Sequence, residues 1–266
     1  MANFFVNRLL PGLFLILLIG CSSEQDKPQP EPDSKYDGWK TFTYQKIKIL
    51  YLPGHPLEDS FEDISRTYIT LIDRSCRFLH IPVPADTLRI IFYTGWGQGR
   101  EMTGCEYPFA TRDEIHFWLP SFYGPTLMQY LIYQWQPDEP KNIFLKHGLI
   151  TLLDFSGQNY HMNTIRYVHN KQFIPLEKLA VDSAIDSNTE RLQSAMSASF
   201  VDFVVYTYGF DVFESLYLSQ RSFEKEVRAL FDMSVDSLQD RWLEVADEAA
   251  KLDTANYRRL ILKEEG

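Results

Sequence analysis

The chain has 266 residues, of which 45% are hydrophobic and 15% aromatic, so it can bury the core of one domain or of two tightly joined subdomains. Its formal net charge of −10 argues against nucleic acid or an anionic membrane surface as a binding partner. The sequence contains no internal repeat and no Gly-x-Ser-x-Gly motif that would indicate a serine hydrolase.

The N-terminus has the features of a bacterial lipoprotein signal. A short basic start precedes an apolar run over residues 9–19, and the small residue Gly20 precedes Cys21. The run is too short for a stable membrane-spanning helix of about 20 residues. We therefore expect residues 1–20 to be a signal peptide and Cys21 to be the lipid attachment site. The alternative is an ordinary signal peptide followed by a coincidental cysteine.

Residues 21–38 are predicted to be a disordered tether, because they contain three prolines and no apolar period. The lipid on Cys21 would anchor the protein in the membrane of the cell envelope. Ser22 is not the aspartate typical of inner-membrane retention. We expect an outer-membrane or cell-surface location, and a periplasmic orientation stays open.

Strand and helix patterns alternate in the part that follows the tether. Period-two alternation predicts one strand over residues 41–52 and a further strand over 114–120. Apolar residues at helical spacing predict a helix over 57–76, and a short apolar run predicts a central strand over 88–93. The glycine-rich stretch 95–104 is predicted to be a loop between strands.

Two helices are predicted next, over about residues 125–136 and from 141 or 142 to 154. Gln129 and Tyr133 are four residues apart and share one face of the first helix. In the second helix, Gly148 is expected where a close helix contact leaves no room for a side chain.

The C-terminal part is predicted to be helical, with an N-cap at Ser234. An aromatic set from Tyr206 to Tyr217 is expected to pack in the core, with a sugar-binding platform as the rarer alternative. Together these patterns predict an α+β fold with a small N-terminal mixed sheet and an all-helical C-terminal part. The predicted helices cover residues 175–180, 189–208, 211–219, 223–231 and 235–251.

The segment LMQYLIYQWQPDEPKNIFLKHGL, residues 127–149, resembles the active-site layout of the gluzincin metallopeptidases, and the peptidase MA-like branch most closely. In that family an H-E-x-x-H helix supplies two zinc-binding histidines and a glutamate base. A second helix, usually W-x-x-E-G-[LI]-A, supplies the third ligand. The resemblance covers roughly residues 40–245. It implies a metallopeptidase-like α/β subdomain over 39–155 and a helical subdomain over 156–266.

The resemblance assigns each active-site position to a side chain with different chemistry. Gln129 and Tyr133 stand at the two histidine positions, Tyr130 at the glutamate base and His147 at the third ligand. An amide oxygen is a poor zinc donor, and a phenol with a pKa near ~10 stays protonated at neutral pH. None of the six histidines forms an H-x-x-x-H pair. We therefore predict an inactive peptidase with no catalytic residue, no metal and no cofactor.

Two further hypotheses concern covalent and partner contacts. Once Cys21 carries the lipid, Cys76 and Cys105 are the two remaining cysteines. In an oxidising compartment they can form a disulfide with each other, and two free thiols are the alternative. The resemblance makes strand 114–118 the edge strand, which in active relatives binds peptide by strand addition. A peptide or an envelope protein could bind there, and ordinary sheet packing is the alternative.

The function predicted from these observations is binding or scaffolding in the cell envelope. One alternative is an active hydrolase with a non-standard site, such as His147 with Glu114 or Asp154. The other is an envelope lipoprotein that handles glycans, for which Tyr206 or Trp118 would be the binding surface.

Overall fold

The computed structural model describes residues 34–119, 123–181 and 189–252. The predicted signal peptide, Cys21 and most of the predicted tether lie outside these residues, and Ser34–Tyr36 forms a short 3-10 turn. The described residues from Gly38 onward form one compact unit. Among the described helices, none combines the length and apolar character that crossing a bilayer requires.

The predicted α+β class is confirmed by a small five-stranded mixed sheet packed with helices. The strand order is β1-β2-β3-β5-β4; β2, β3 and β5 run parallel, and the two outer strands pair antiparallel with their neighbours. The strands are β1 (Lys40–Tyr44), β2 (Ile47–Tyr51), β3 (Leu88–Tyr93), β4 (Phe109–Ala110) and β5 (Glu114–Trp118).

The single strand predicted over residues 41–52 is wrong, because this segment folds back as the β1–β2 hairpin. Tyr44 pairs with Ile47, and Gln45 makes the turn with φ of 50°. Alternation continues through both arms, and the turn lacks the Asn-Gly or Asp-Gly pair that usually identifies a hairpin. The alternating apolar pattern therefore does not show where the turn lies.

Ten α-helices lie within the described residues. The eight predicted helices are confirmed with small shifts at their ends, while the sequence patterns predict no helix at α2 or α5. The helices are α1 (Phe61–Phe78), α2 (Trp96–Thr103), α3 (Tyr123–Trp135), α4 (Ile143–Leu152), α5 (Tyr160–His169), α6 (Leu176–Val181), α7 (Glu190–Tyr208), α8 (Phe210–Leu218), α9 (Phe223–Phe231) and α10 (Val235–Leu252).

The loop predicted over residues 95–104 is wrong, since most of it forms α2. Gln98 Oε1 accepts a hydrogen bond from Thr94 N at 2.7 Å at the start of the helix. Gly104 ends it in the left-handed conformation, with φ of 74°. Gly99 in its middle contacts the Trp118 ring so closely that a Cβ would lie 2.6 Å from it. Gly99 thus allows close packing and Gly104 caps the helix, and neither residue is there to make a flexible loop.

Strand 114–118 is not the edge strand, which corrects the position of the predicted peptide-binding edge. β4 lies beyond it, with Phe109 paired to His116 and Ala110 to Ile115. A strand of only two residues carries no periodicity, so the sequence could not show it. A peptide that added to this side of β5 would first have to displace β4.

The closest helix contact joins α4 to α7. A Cβ at Gly148 would lie 2.5 Å from Ser197 O and 2.8 Å from Val201 Cγ2, so the predicted close approach at Gly148 is present. One core cluster runs from β3 and α1 through α4 to α7 and α10. The boundary predicted near residue 155 does not interrupt this core.

We expect Gly148→Ala to lower the free energy of unfolding by about 1–3 kcal/mol, the usual range for overpacking of a close contact. Gly97→Ala is the matched control, since no atom lies within 4 Å of a Cβ there. Alanine in that helix should be neutral or stabilising by up to about 1 kcal/mol. Urea unfolding at 25 °C measures both. A Gly148→Ala protein as stable as the wild type would contradict the α4–α7 contact.

Candidate functional site

Helices α3 and α4 face each other, as the predicted layout requires. The start of α3 lies against the end of α4, where a Cβ at Gly124 would clash with the Asp154 carbonyl group. The two helices therefore run antiparallel across the loop 136–142. Of the four predicted positions, Tyr133 has a contact that joins the two helices, through Lys146 of α4.

Gln129, at the first histidine position, contacts the sheet. Its Oε1 accepts a hydrogen bond from Ala110 N at 2.9 Å. This bond satisfies a backbone N–H of the short strand β4, which has few other ladder bonds. The Gln129 side chain thus fastens the outer strand to α3.

Tyr130, at the position of the glutamate base, lies on a different side of α3. It is only 4% exposed and lines an apolar cavity of about 310 Å³ together with Ile47, Ile72 and Leu88. Burial raises the pKa of the phenol, and the charges of nearby aspartates raise it further. A neutral phenol facing α1 and the sheet cannot act as a base in the α3–α4 cleft.

Tyr133, at the second histidine position, contacts a lysine of α4. Lys146 Nζ lies 4.8 Å from the centroid of the Tyr133 ring and forms an ion pair with Glu139. Lys146 is only 7% exposed. Burying an ammonium group is costly unless charges or π-systems compensate, and Glu139 and Tyr133 provide both. At the second histidine position, the Tyr133 ring thus makes a cation–π contact with Lys146.

His147, at the third-ligand position, is half-buried next to Lys146. Burial lowers the pKa of its imidazole, the Lys146 charge lowers it further, and Glu139 partly opposes both effects. The ring is therefore neutral at pH 7, as a metal ligand must be. The described residues contain no group of three or more His, Cys, Asp or Glu that could hold a metal ion.

The two carboxylates considered as partners of His147 are engaged elsewhere. Glu114 Oε1 lies 3.0 Å from His116 Nε2, and Glu114 Oε2 lies 3.3 Å from Arg89 Nε. Asp154 accepts hydrogen bonds from the hydroxyl of Tyr160 at 2.6 Å and from a backbone N–H of the next loop. The non-standard hydrolase site has no support from these contacts.

A serine, a histidine and an aspartate that are distant in sequence do meet among the C-terminal helices. His161 Nδ1 lies 2.8 Å from Ser199 Oγ, and His161 Nε2 lies 2.8 Å from Asp202 Oδ2. Ser199 is fully buried, and it accepts a hydrogen bond from Trp242 Nε1 at 3.0 Å. A nucleophile must reach its substrate, so this set ties α5, α7 and α10 together rather than catalysing hydrolysis.

The two aromatic residues suggested for glycan binding differ in exposure. Tyr206 is 86% exposed on α7, whereas Trp118 is 1% exposed beneath Gly99 of α2. A ring that stacks on a sugar has to present its face to solvent. Trp118 therefore cannot serve in this way, and Tyr206 alone does not form a platform.

Both described cysteines are free thiols, so the hypothesised disulfide is not formed. Cys76 is buried in α1, which packs in the core with Phe117. Cys105 follows α2, which contacts Trp118, and successive residues of a strand point to opposite faces of a sheet. The sheet thus separates the two thiols.

This chain matches no protein-family model and no curated protein. The gluzincin resemblance therefore stays a prediction that rests on residues 127–149 and on the order of the elements.

We expect the two thiols to differ in reactivity. Burial raises the pKa of Cys76 to about 11, so at pH 8 only about one thiol in a thousand is thiolate. In a Cys21→Ser protein at pH 8, iodoacetamide should modify half-buried Cys105 well before Cys76. Cys76 should react fully only after unfolding. Mass spectrometry of non-reduced peptides gives the time course, and a bridged Cys76–Cys105 peptide would contradict the free-thiol state.

Proposed function

We propose that this chain is a lipid-anchored protein of the cell envelope whose gluzincin-like domain binds or scaffolds and does not hydrolyse. The observation that carries this proposal is the contact between Lys146, Tyr133 and Glu139. It sets an ammonium group, paired with Glu139, against the ring that stands at one of the two histidine positions implied by the resemblance.

The charge of Lys146 works against a divalent cation in two ways. Like charges repel strongly in a partly buried cleft, where the effective dielectric constant is well below that of water. The same ammonium lowers the pKa of His147 by disfavouring a second positive charge nearby. A zinc ion beside His147 would meet the same repulsion, and no group of three or more His, Cys, Asp or Glu among the described residues stands there to offset it.

The remaining predicted positions support a structural use of the former site. Gln129 holds β4, and Tyr130 fills the wall of an apolar cavity next to α1. Neither side chain is available to activate water. Strand addition next to β5 is not proposed, since β4 lies on that side.

The proposed location rests on the sequence around Cys21. A lipidated cysteine followed by residues without apolar periodicity would hold the domain at a distance from the membrane. The acyl chains would supply the anchor, so the domain itself needs no apolar surface for the bilayer. An outer-membrane or cell-surface position is proposed, with the periplasmic face as the other possible orientation.

We expect purified protein to carry no stoichiometric zinc and to leave peptide substrates intact. A sharper comparison uses the triple variant Gln129→His, Tyr133→His and His147→Glu, with and without Lys146→Met. Removing the ammonium should tighten zinc binding by about ten-fold or more, since about 1.4 kcal/mol of repulsion is ten-fold in Kd. Isothermal titration with zinc measures the difference.

Two results would overturn this proposal. One is firmly bound zinc in the wild-type protein together with peptide turnover that is lost in His147→Ala. The other is equal zinc affinity of the triple variant with and without Lys146, because the lysine charge would then not govern the cleft.

We expect Cys21→Ser to abolish incorporation of labelled palmitate in a bacterial host and to move the protein from the membrane fraction to the soluble fraction. The reason is that the thiol is the only proposed point of acylation. Cys105→Ser is the matched control and should keep both label and location. Label retained in Cys21→Ser would refute the lipid anchor.

A further inference from the structure

A cavity of about 540 Å³ with a mixed polar and apolar lining lies at the ends of four helices, away from Gln129 and Tyr133. Its volume falls within the range of about 300–1,000 Å³ that is typical of small-molecule sites. Three of the lining residues are the ones that immediately precede a helix: Asn142 before α4, Ser222 before α9 and Ser234 before α10. The end of α6, at Val181, forms part of the rim.

Helix N-termini converge on this cavity, and the side formed by the start of α4 is electropositive, because the first turn of α4 has no acidic residue. Each N-terminus carries a partial positive charge and N–H groups without a partner inside the helix. The side chains of Asn142 and Ser222 make no capping hydrogen bond to α4 or α9, whereas Ser234 does cap α10 through Ser237 N at 3.1 Å. Lys141 at the rim adds a full positive charge. This side therefore favours a carboxylate or another anion.

A second observation at the same wall points to a ligand. Asn142 is only 4% exposed, and its amide Nδ2 is buried with no hydrogen-bond partner among the described residues. A buried N–H without an acceptor is costly, and such groups are rare in folded proteins. An oxygen atom of a bound molecule would supply the missing acceptor once the amide turns toward the cavity, since Nδ2 itself is buried.

Acidic side chains make another part of the cavity electronegative. Glu177, Glu224 and Asp236 all line it, one at the start of each of α6, α9 and α10. Three carboxylates would repel a ligand that carries negative charge alone. They would attract an ammonium group. Only a molecule with both charges meets the two sides of this cavity.

We propose that the cavity binds a small zwitterion with one carboxylate and one ammonium group, which is the chemistry of a free amino acid or of a short peptide with unblocked ends. The carboxylate contacts Asn142 and the N-terminus of α4, and the ammonium group contacts the carboxylates of Glu177 and Glu224. This proposal rests on the proposed binding function and names a class of ligand for it. The cavity uses other residues than the α3–α4 contacts, so either proposal can be refuted without the other.

Isothermal titration of the lipid-free mature chain with alanine and with alanyl-alanine tests the proposal. Binding of either probe is expected. Its N-acetylated and C-amidated forms should bind at least ten-fold more weakly, because each loses one charge. Preference for alanine or for alanyl-alanine distinguishes an amino acid from a peptide ligand. Failure of both probes to bind at millimolar concentration, or equal binding of the blocked forms, would overturn it.

Asn142→Leu locates the site and should weaken binding of the preferred probe at least ten-fold. Its thermal midpoint should be unchanged or higher, because an unsatisfied buried amide is removed. Asn170→Leu, at the exposed end of α5, is the control and should bind as the wild type does. If Asn142→Leu does not fold, Lys141→Glu on the exposed rim takes its place with the same expected loss. Wild-type affinity in the folded variant would refute the site, whatever the zinc measurement gives.

Discussion

The contact on which the rest of the structure depends is the approach of α4 to α7 at Gly148. The carbonyl oxygen of Ser197 lies only 2.5 Å from the position where any other residue would have its Cβ. This contact fixes the rotation of α4, so that Phe144 and Leu149 enter the core while Lys146 contacts α3. It also joins the sheet-bearing half of the chain to the C-terminal helices through one hydrophobic core.

The α3–α4 region is consequently a packed polar and aromatic unit rather than an open site. Glu139 and Tyr133 stabilise the buried ammonium of Lys146, and Tyr217 of α8 extends the set toward the helical part. Burial raises the pKa of the Tyr217 phenol, and the nearby Glu139 raises it further. Trp135 packs against the same ring, with centroids 5.0 Å apart. Glu139 and Tyr133 offset the free-energy cost of burying the Lys146 ammonium group. A substitution at any one of these three residues therefore affects the other two.

The sequence predicts the elements that have a long apolar period or a fully apolar run, such as α1, β3 and α9. It fails where a short element is set by tertiary contacts: β4 is held by Gln129, and α2 by Trp118. In the candidate site, helical spacing correctly places Gln129 and Tyr133 on one side of α3. Local periodicity cannot predict which residues these side chains contact, because the contacts are made between distant parts of the chain. The same holds for the hydrogen bond between His161 and Ser199, which are 38 residues apart in sequence.

The position of Lys146 also bears on how such a domain evolves. If an ancestor held zinc, no single reversion would now restore it. Histidine at position 129 would cost β4 its hydrogen bond, and histidine at 133 would remove the ring beneath the ammonium. A carboxylate at 147 would gain an ion pair with lysine instead of a metal. The first two changes lose a contact and the third gains one that needs no metal, so no single step leads back toward a zinc site and selection would retain the metal-free state.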